Sequence, residues 1–198
     1  LETPILLDSL KDGEKTGYPT LAQLTSAFPD QQIGHLQIVT LFEETTAQAL
    51  ERLAQSAIDS VRNGARIILL DDSTAFQDQN GWVDPVLALG VVDLALRKTF
   101  FDSSLSDSLS TPIPLNDSGK IDLGLMASQT SLNMRRQAGL ILRSGAIRNL
   151  HDVIMCVGMG ADAISPYLIF ESALKEKTEI DEADRLKKTF KALRSGIE

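Results

Sequence analysis

Leu36-Gln37-Ile38-Val39-Thr40-Leu41-Phe42 comes first, a helical stretch follows, and Ala65-Arg66-Ile67-Ile68-Leu69-Leu70 closes the succession that decides the fold. The first run is rich in β-branched and apolar residues and roughly alternates, which predicts a strand. The intervening segment places Ala47, Leu50, Ala54, Ala57, Ile58 and Val61 at the spacing of one helical face. Thr45 and Gln48 stand in capping-box spacing, each side chain within reach of the other's unpaired backbone N–H. Gly64 falls where a left-handed helix terminus is wanted. The second run is almost continuously apolar, as in a strand covered on both faces, and that is the mark of a parallel sheet.

Working outward, the plan repeats. Asp84 and Pro85 read as N-cap and first helical residue, since proline has no N–H to lose there. Leu87, Val91, Leu94 and Ala95 are the expected buried stripe of that helix. A strand follows at Ala138-Gly139-Leu140-Ile141-Leu142, then a helix with Ile147, Leu150, Ile154 and Val157 on its predicted inner face. Gly158-Met159-Gly160 ends that helix, and Ala161-Asp162-Ala163-Ile164 is a short last strand. A final helix from about Ile180 carries Ala183, Leu186, Phe190, Leu193 and Ile197 at three- and four-residue steps. Between the second helix and third strand, residues 99–134 are rich in Ser, Asp, Thr and Pro. A structureless loop of that length is uncommon in a compact domain. The alternatives are a partly mobile excursion, which is favoured, a small hairpin, or a helix within Leu123 to Met134.

Four strand-helix steps specify an α/β class with parallel strands, either half of a β/α barrel or a small open sheet. Both leave two strand edges to be covered by the N-terminal stretch, the last helix, a partner domain or a second copy.

The 198 residues are 43% hydrophobic and 23% charged, the composition of a globular chain. The formal charge of −8 and pI near 4.8, with no basic run, argue against nucleic acid and anionic membrane as partners. No apolar run approaches a membrane span, and a basic-then-apolar signal start is absent. The single cysteine, Cys156, excludes an internal disulfide framework, a cysteine-based zinc site and an iron–sulfur cluster held by this chain alone. It fits a reducing, cytoplasmic setting. The start at Leu1 rather than Met is expected of a piece excised from a longer chain.

In parallel β/α folds reactive groups sit at the C-terminal ends of strands. Here those positions are Asp71-Asp72-Ser73, Arg143-Ser144-Gly145 and Ser165-Pro166-Tyr167. Asp71 and Asp72 are the acid/base or hard-metal candidates. Adjacent strand residues alternate faces, however, which favours one loop anchor and one solvated charge. Gly158-Met159-Gly160-Ala161-Asp162 is glycine-rich but follows a helix and precedes a strand. That order fits a tight turn and not a phosphate loop. His151 is expected to be packed and hydrogen-bonded, Cys156 a buried inert thiol, and Arg135-Arg136 a solvated pair.

Several of these stretches together resemble the central domain of the glutamate synthase large subunit. Gly158-Met159-Gly160-Ala161-Asp162-Ala163-Ile164-Ser165-Pro166-Tyr167-Leu168 is similar, almost residue for residue, to the family's Gly-Tyr-Gly-Ala-Asp-Ala-Val-Asn-Pro-Tyr-Leu run. Arg148-Asn149-Leu150-His151-Asp152, Gly64 to Asp72, Pro85 to Val92 and Thr3-Pro4-Ile5-Leu6 resemble further family segments. This chain departs from the family at Asp71-Asp72-Ser73 (Ser-Asp-Arg there), at His151-Asp152 (a paired His) and at Asp93 (a His). It also departs in the Ser-rich segment and in the basic last helix.

The resemblance implies a rudimentary, TIM-like partial β/α barrel between a glutaminase domain and an FMN synthase domain. Residues 1–176 would be this domain, with 99–134 as an insertion, and 177–198 a C-terminal amphipathic helix. In such enzymes ammonia released from glutamine at an N-terminal Cys travels through a tunnel. It adds to 2-oxoglutarate, and reduced FMN supplies a hydride. The central domain connects the sites and shapes the route. It would hold no catalytic, cofactor-binding or metal-binding residue of its own, FMN and the iron–sulfur cluster belonging to other domains. Interdomain or tunnel-lining residues are expected at Asp72, Ser73, Arg143 and Ser144. Gly158, Gly160, Asp162, Pro166 and Tyr167 are expected to be structural. The partners would be the other domains of the parent chain. Two other readings stay open: a free-standing β/α enzyme or small-ligand binder using Asp71 and Asp72, and a module that self-associates, for example as a homodimer.

Overall fold

Thr45 begins the unit that organises the molecule. Its hydroxyl accepts from Gln48 N, and the Gln48 side chain accepts from Thr45 N, closing the expected capping box at the start of helix Thr46–Arg62 (α3). Preceding it are Leu10–Thr16 (α1), Leu21–Ser26 (α2), Ile33–Gln37 (β1) and Val39–Thr40 (β2). After it come Ile67–Asp71 (β3), Gly81–Trp82 (β4), Pro85–Lys98 (α4), Gly139–Arg143 (β5), Leu150–Gly158 (α5), Ala163–Ser165 (β6), Tyr167–Lys175 (α6) and Glu182–Ser195 (α7). This computed structural model describes residues 3–100, 133–175 and 179–197. Most of the Ser-rich segment, with its alternatives of excursion, hairpin or helix, lies outside the described residues.

The sheet is four-stranded and parallel, in the order β1-β3-β5-β6. Each step moves one place in the same direction through a helix. Right-handed crossovers that all advance the same way lay their helices on one face. Ile68, Leu70, Leu140, Leu142 and Ile164 accordingly pack with residues of α3, α4, α5 and α7 in the main core. The opposite face, Ile67, Leu69, Ile141 and Ala163, would be the inside of a closed barrel. Here Leu6, Leu21, Leu24 and Phe28 of the N-terminal stretch cover it. The fold is therefore mixed α/β with the plan of a partial β/α barrel.

The N-terminal stretch also closes one strand edge. Leu6 N donates to Ile164 O at 2.8 Å and Ile164 N to Pro4 O at 2.7 Å, which extends the sheet beyond β6. α7 lies against α1 and α6, and its Phe190 ring stacks on Tyr18 with centroids 4.0 Å apart. Leu186, Phe190 and Leu193 are buried there, as their spacing predicts.

Three expectations are corrected. The first strand starts earlier, at Ile33, and breaks at Ile38, whose N–H bonds to Asp71 O. Val39 and Thr40 then turn away to pair antiparallel with Trp82 and Gly81. In α3, Ala47 is exposed, and Ala49, Leu53, Ala57 and Val61 form the buried line. In α4 and α5 the expected stripes are displaced. Ala88, Leu89, Val92 and Leu96 are buried in α4 while Leu87 and Leu94 are exposed; Val153 and Cys156 are buried in α5 while Ile154 and Val157 are exposed. Both helices are apolar on more than one side, so the period alone does not select the inward face. Their outer sides consequently carry apolar residues in the open.

Candidate functional site

The C-terminal ends of β3, β5 and β6 bring the predicted strand-end residues to one end of the sheet, but sort them onto two faces. Side chains alternate along a strand, so Asp71, Arg143 and Ser165 continue the face covered by the N-terminal stretch, and Asp72 and Ser144 the helix-covered face.

On the first face Arg143 is the hub. Its Nε and NH2 donate to the two carboxylate oxygens of Asp8 at 2.8 and 2.9 Å, and its NH1 to Asp71 Oδ1 at 3.0 Å. The bond to Asp8 is the main reason its guanidinium is held charged well above the usual arginine range, burial opposing and Asp71 assisting. Asp71 also accepts from Ser73 N and Oγ, which starts the loop after β3. Ser165 Oγ donates to Asp8 at 3.2 Å.

On the second face Asp72 is only 6% exposed and Ser144 fully buried. The Asp72 carboxylate accepts from Ser144 Oγ, from Gly145 N at 3.0 Å and from the Tyr167 hydroxyl at 3.3 Å. Burial, and then Asp72, push the Tyr167 phenol up to about 12. The Arg143 guanidinium carbon sits 4.4 Å from the Tyr167 ring centroid, joining the two networks. Asp71 and Asp72 are thus both anchored. The expectation of one solvated charge fails because Asp71 meets Arg143 at the end of β5 and Asp72 meets Ser144 and Gly145 just beyond it.

Pro166 is buried and Tyr167 opens α6 immediately after β6. Gly158 ends α5 with open space around it. Gly160 has φ +111°, and a Cβ there would lie 2.5 Å from the Asp93 carboxylate. Asp162 Oδ2 accepts from Leu140 N at 2.7 Å, tying β6 to β5 at the opposite end of the sheet.

Two other expectations are corrected. His151 is exposed on the first turn of α5, because the inward face of that helix is Val153 and Cys156. Arg135 is not solvated. It donates to Asp93 at 2.7 Å, Asp162 at 2.9 Å, and the carbonyls of Ala138 and Gly160 at 3.0 and 2.6 Å. Apart from Ala138, its partners come from two distant segments, around Asp93 and around Gly160 to Asp162, and no local spacing announces them. Only Arg136 is exposed. Asp8, the acceptor for Arg143, had no signal in the sequence either.

A cleft of about 440 Å³ opens beside Asp72, lined also by Phe76, Trp82, Arg148, Tyr167 and Leu168. Trp82 reaches it through the β2–β4 pairing. Phe76 is exposed at φ 67°, and Leu41 and Phe42 are exposed on the loop after β2. That loop is held by Glu44, whose carboxylate accepts from Arg52 Nε and NH2, both at 2.8 Å, and from Leu41 N.

Cys156 is buried as expected, and desolvation raises its thiol to about 12. At pH 8 only about one thiol in ten thousand would be ionised. A thiol reagent is therefore expected to label the folded chain at least about a hundredfold more slowly than the urea-unfolded chain. Comparable rates would show that Cys156 is accessible.

Among the described residues no helix is long and apolar enough to cross a membrane. No group of three or more His, Cys, Asp or Glu among them could hold a metal ion. The ferredoxin-dependent glutamate synthase 2 of Synechocystis sp. (strain ATCC 27184 / PCC 6803 / Kazusa) is 24% identical over 186 residues, covering 90% of this chain and 9% of that protein. This chain thus spans a small part of the curated relative it matches. The family model described as glutamate synthase central domain matches residues 1–198. With the parallel half-barrel plan and the Gly158 to Leu168 run, the chain belongs to the glutamate synthase central domain family.

Proposed function

We propose that this chain is a non-catalytic connecting domain of a glutamate-synthase-type chain. It packs between a glutaminase domain and an FMN synthase domain and supports the transfer of ammonia between them. The observation that carries the reading is at the strand ends. Where parallel β/α folds keep reactive groups, the strand-end charges here are taken up by neighbours: Arg143 by Asp8 and Asp71, and Asp72 by donors from Ser144, Gly145 and Tyr167. Such a framework positions surfaces; it does not offer a poised acid or base. Asp72, Ser73, Arg143 and Ser144 would serve by holding the loops that border the route.

The outer sides of α4 and α5 fit the packing role. Leu87 and Leu94 on α4, and Ile154, Met155 and Val157 on α5, are exposed, as expected of a face that another domain covers. On this reading the chain works in the cytoplasm, and FMN and the iron–sulfur cluster belong to other domains.

The test uses the full-length parent enzyme. Leu94→Glu combined with Met155→Glu is expected to leave ammonia-driven glutamate formation within about twofold. Glutamine-driven formation should fall at least about tenfold, with free ammonia escaping. Unchanged coupling of glutamine hydrolysis to glutamate formation would overturn the connecting role. Dimerisation of the 198-residue chain through this face would favour self-association instead.

A further inference from the structure

The cleft beside Asp72 has one unfilled electrostatic valence. Ser144 Oγ, Gly145 N and the Tyr167 hydroxyl all donate to Asp72, Ser73 donates to Asp71, and Ala146 N donates to Ser144. Arg148 is exposed and among the lining residues, and its guanidinium has no partner among the described residues; only its backbone N–H is bonded, to Asp152. The remaining walls are flat or aliphatic: Phe76, Trp82, Leu168 and Ala75. Ligand pockets of about 300–1,000 Å³ are of this kind, mostly apolar with a few placed polar groups, and the volume here is about 440 Å³.

We propose that this cleft binds a small monocarboxylate with a flat apolar body. The carboxylate pairs with Arg148, whose planar fork suits two parallel hydrogen bonds. The body lies against Trp82, Phe76 and Leu168. Asp72 sets the limit of one negative charge. Asp72 is among the lining residues, so a second anionic group on the ligand would come near that charge or meet an apolar wall. The site is thereby selective against dicarboxylates. It goes beyond the connecting role and does not depend on it.

Trp82 is the chain's sole tryptophan, so its fluorescence reads this cleft. Phenylacetate is the probe, titrated into the 198-residue chain. A saturable change in Trp82 emission is expected below about 20 mM. Phenylacetamide, which lacks the charge, and phenylmalonate, which carries two, are expected to bind at least about tenfold more weakly. Arg148→Ala should weaken phenylacetate at least about tenfold without moving the thermal midpoint, and Arg148→Lys should recover part of the loss. Any of three results overturns the proposal: no saturable response to phenylacetate, equal binding of acid and amide, or unchanged binding by a folded Arg148→Ala chain.

Discussion

Asp72→Ala is expected to lower the free energy of unfolding by about 3 kcal/mol. The carboxylate is 6% exposed and accepts three hydrogen bonds. Truncation leaves the buried Ser144 hydroxyl and the Gly145 N–H without their acceptor, and frees Tyr167 from the strand end. Asp72→Asn keeps one carbonyl acceptor and should cost about half as much. Asp71→Ala is the contrast. Arg143 keeps both bonds to Asp8 when Asp71 is removed, so the cost should stay near 1 kcal/mol, within about twofold. Urea unfolding midpoints of the three variants check this. Equal losses at both positions would mean that the two carboxylates are not on differently buried faces.

Arg135→Ala should cost about 3 kcal/mol, and Arg136→Ala less than about 0.5 kcal/mol. The two arginines are adjacent, yet one guanidinium binds Asp93, Asp162 and two carbonyls, and the other is exposed. Removing Arg135 leaves two carbonyls without their donor and the largely buried Asp93 with only Arg97. Arg135→Lys should recover about half of the loss, since one ammonium cannot reach four acceptors. Thermal unfolding of the three chains is the measurement. A loss at Arg136 matching that at Arg135 would contradict the network.

Much of the fold was legible because it rests on local rules. The Thr45–Gln48 box, the Asp84–Pro85 start and the left-handed Gly64 are set by residues within a few positions of one another. The run from Ile67 to Leu70 was recognisable as buried because both its faces are apolar. The inward faces of α4 and α5 were misread for the same reason in reverse. An amphipathic helix announces its face, but a helix apolar on several sides does not. Among the strand-end residues, position at the end of a strand was readable from the periodicity. Engagement was not, because Arg143 depends on Asp8, 135 residues away in sequence.

The sequence by itself determined the strand-helix succession through α3, β3, α4, β5, α5 and β6, the parallel sheet, the starts of α3 and α4, and the family, but not α1, α2, the β2–β4 pair or α6. What it determined follows from short-range pattern or from a contiguous motif. Only the tertiary structure decided that the N-terminal stretch covers the face a full barrel would enclose. It alone decided that Asp71 and Asp72 serve separate networks, that Arg135 is a hub, and that Trp82 and Arg148 share a cleft. Each of these rests on groups that meet through chain closure, and the partner of a charge is set by which segments pack beside it.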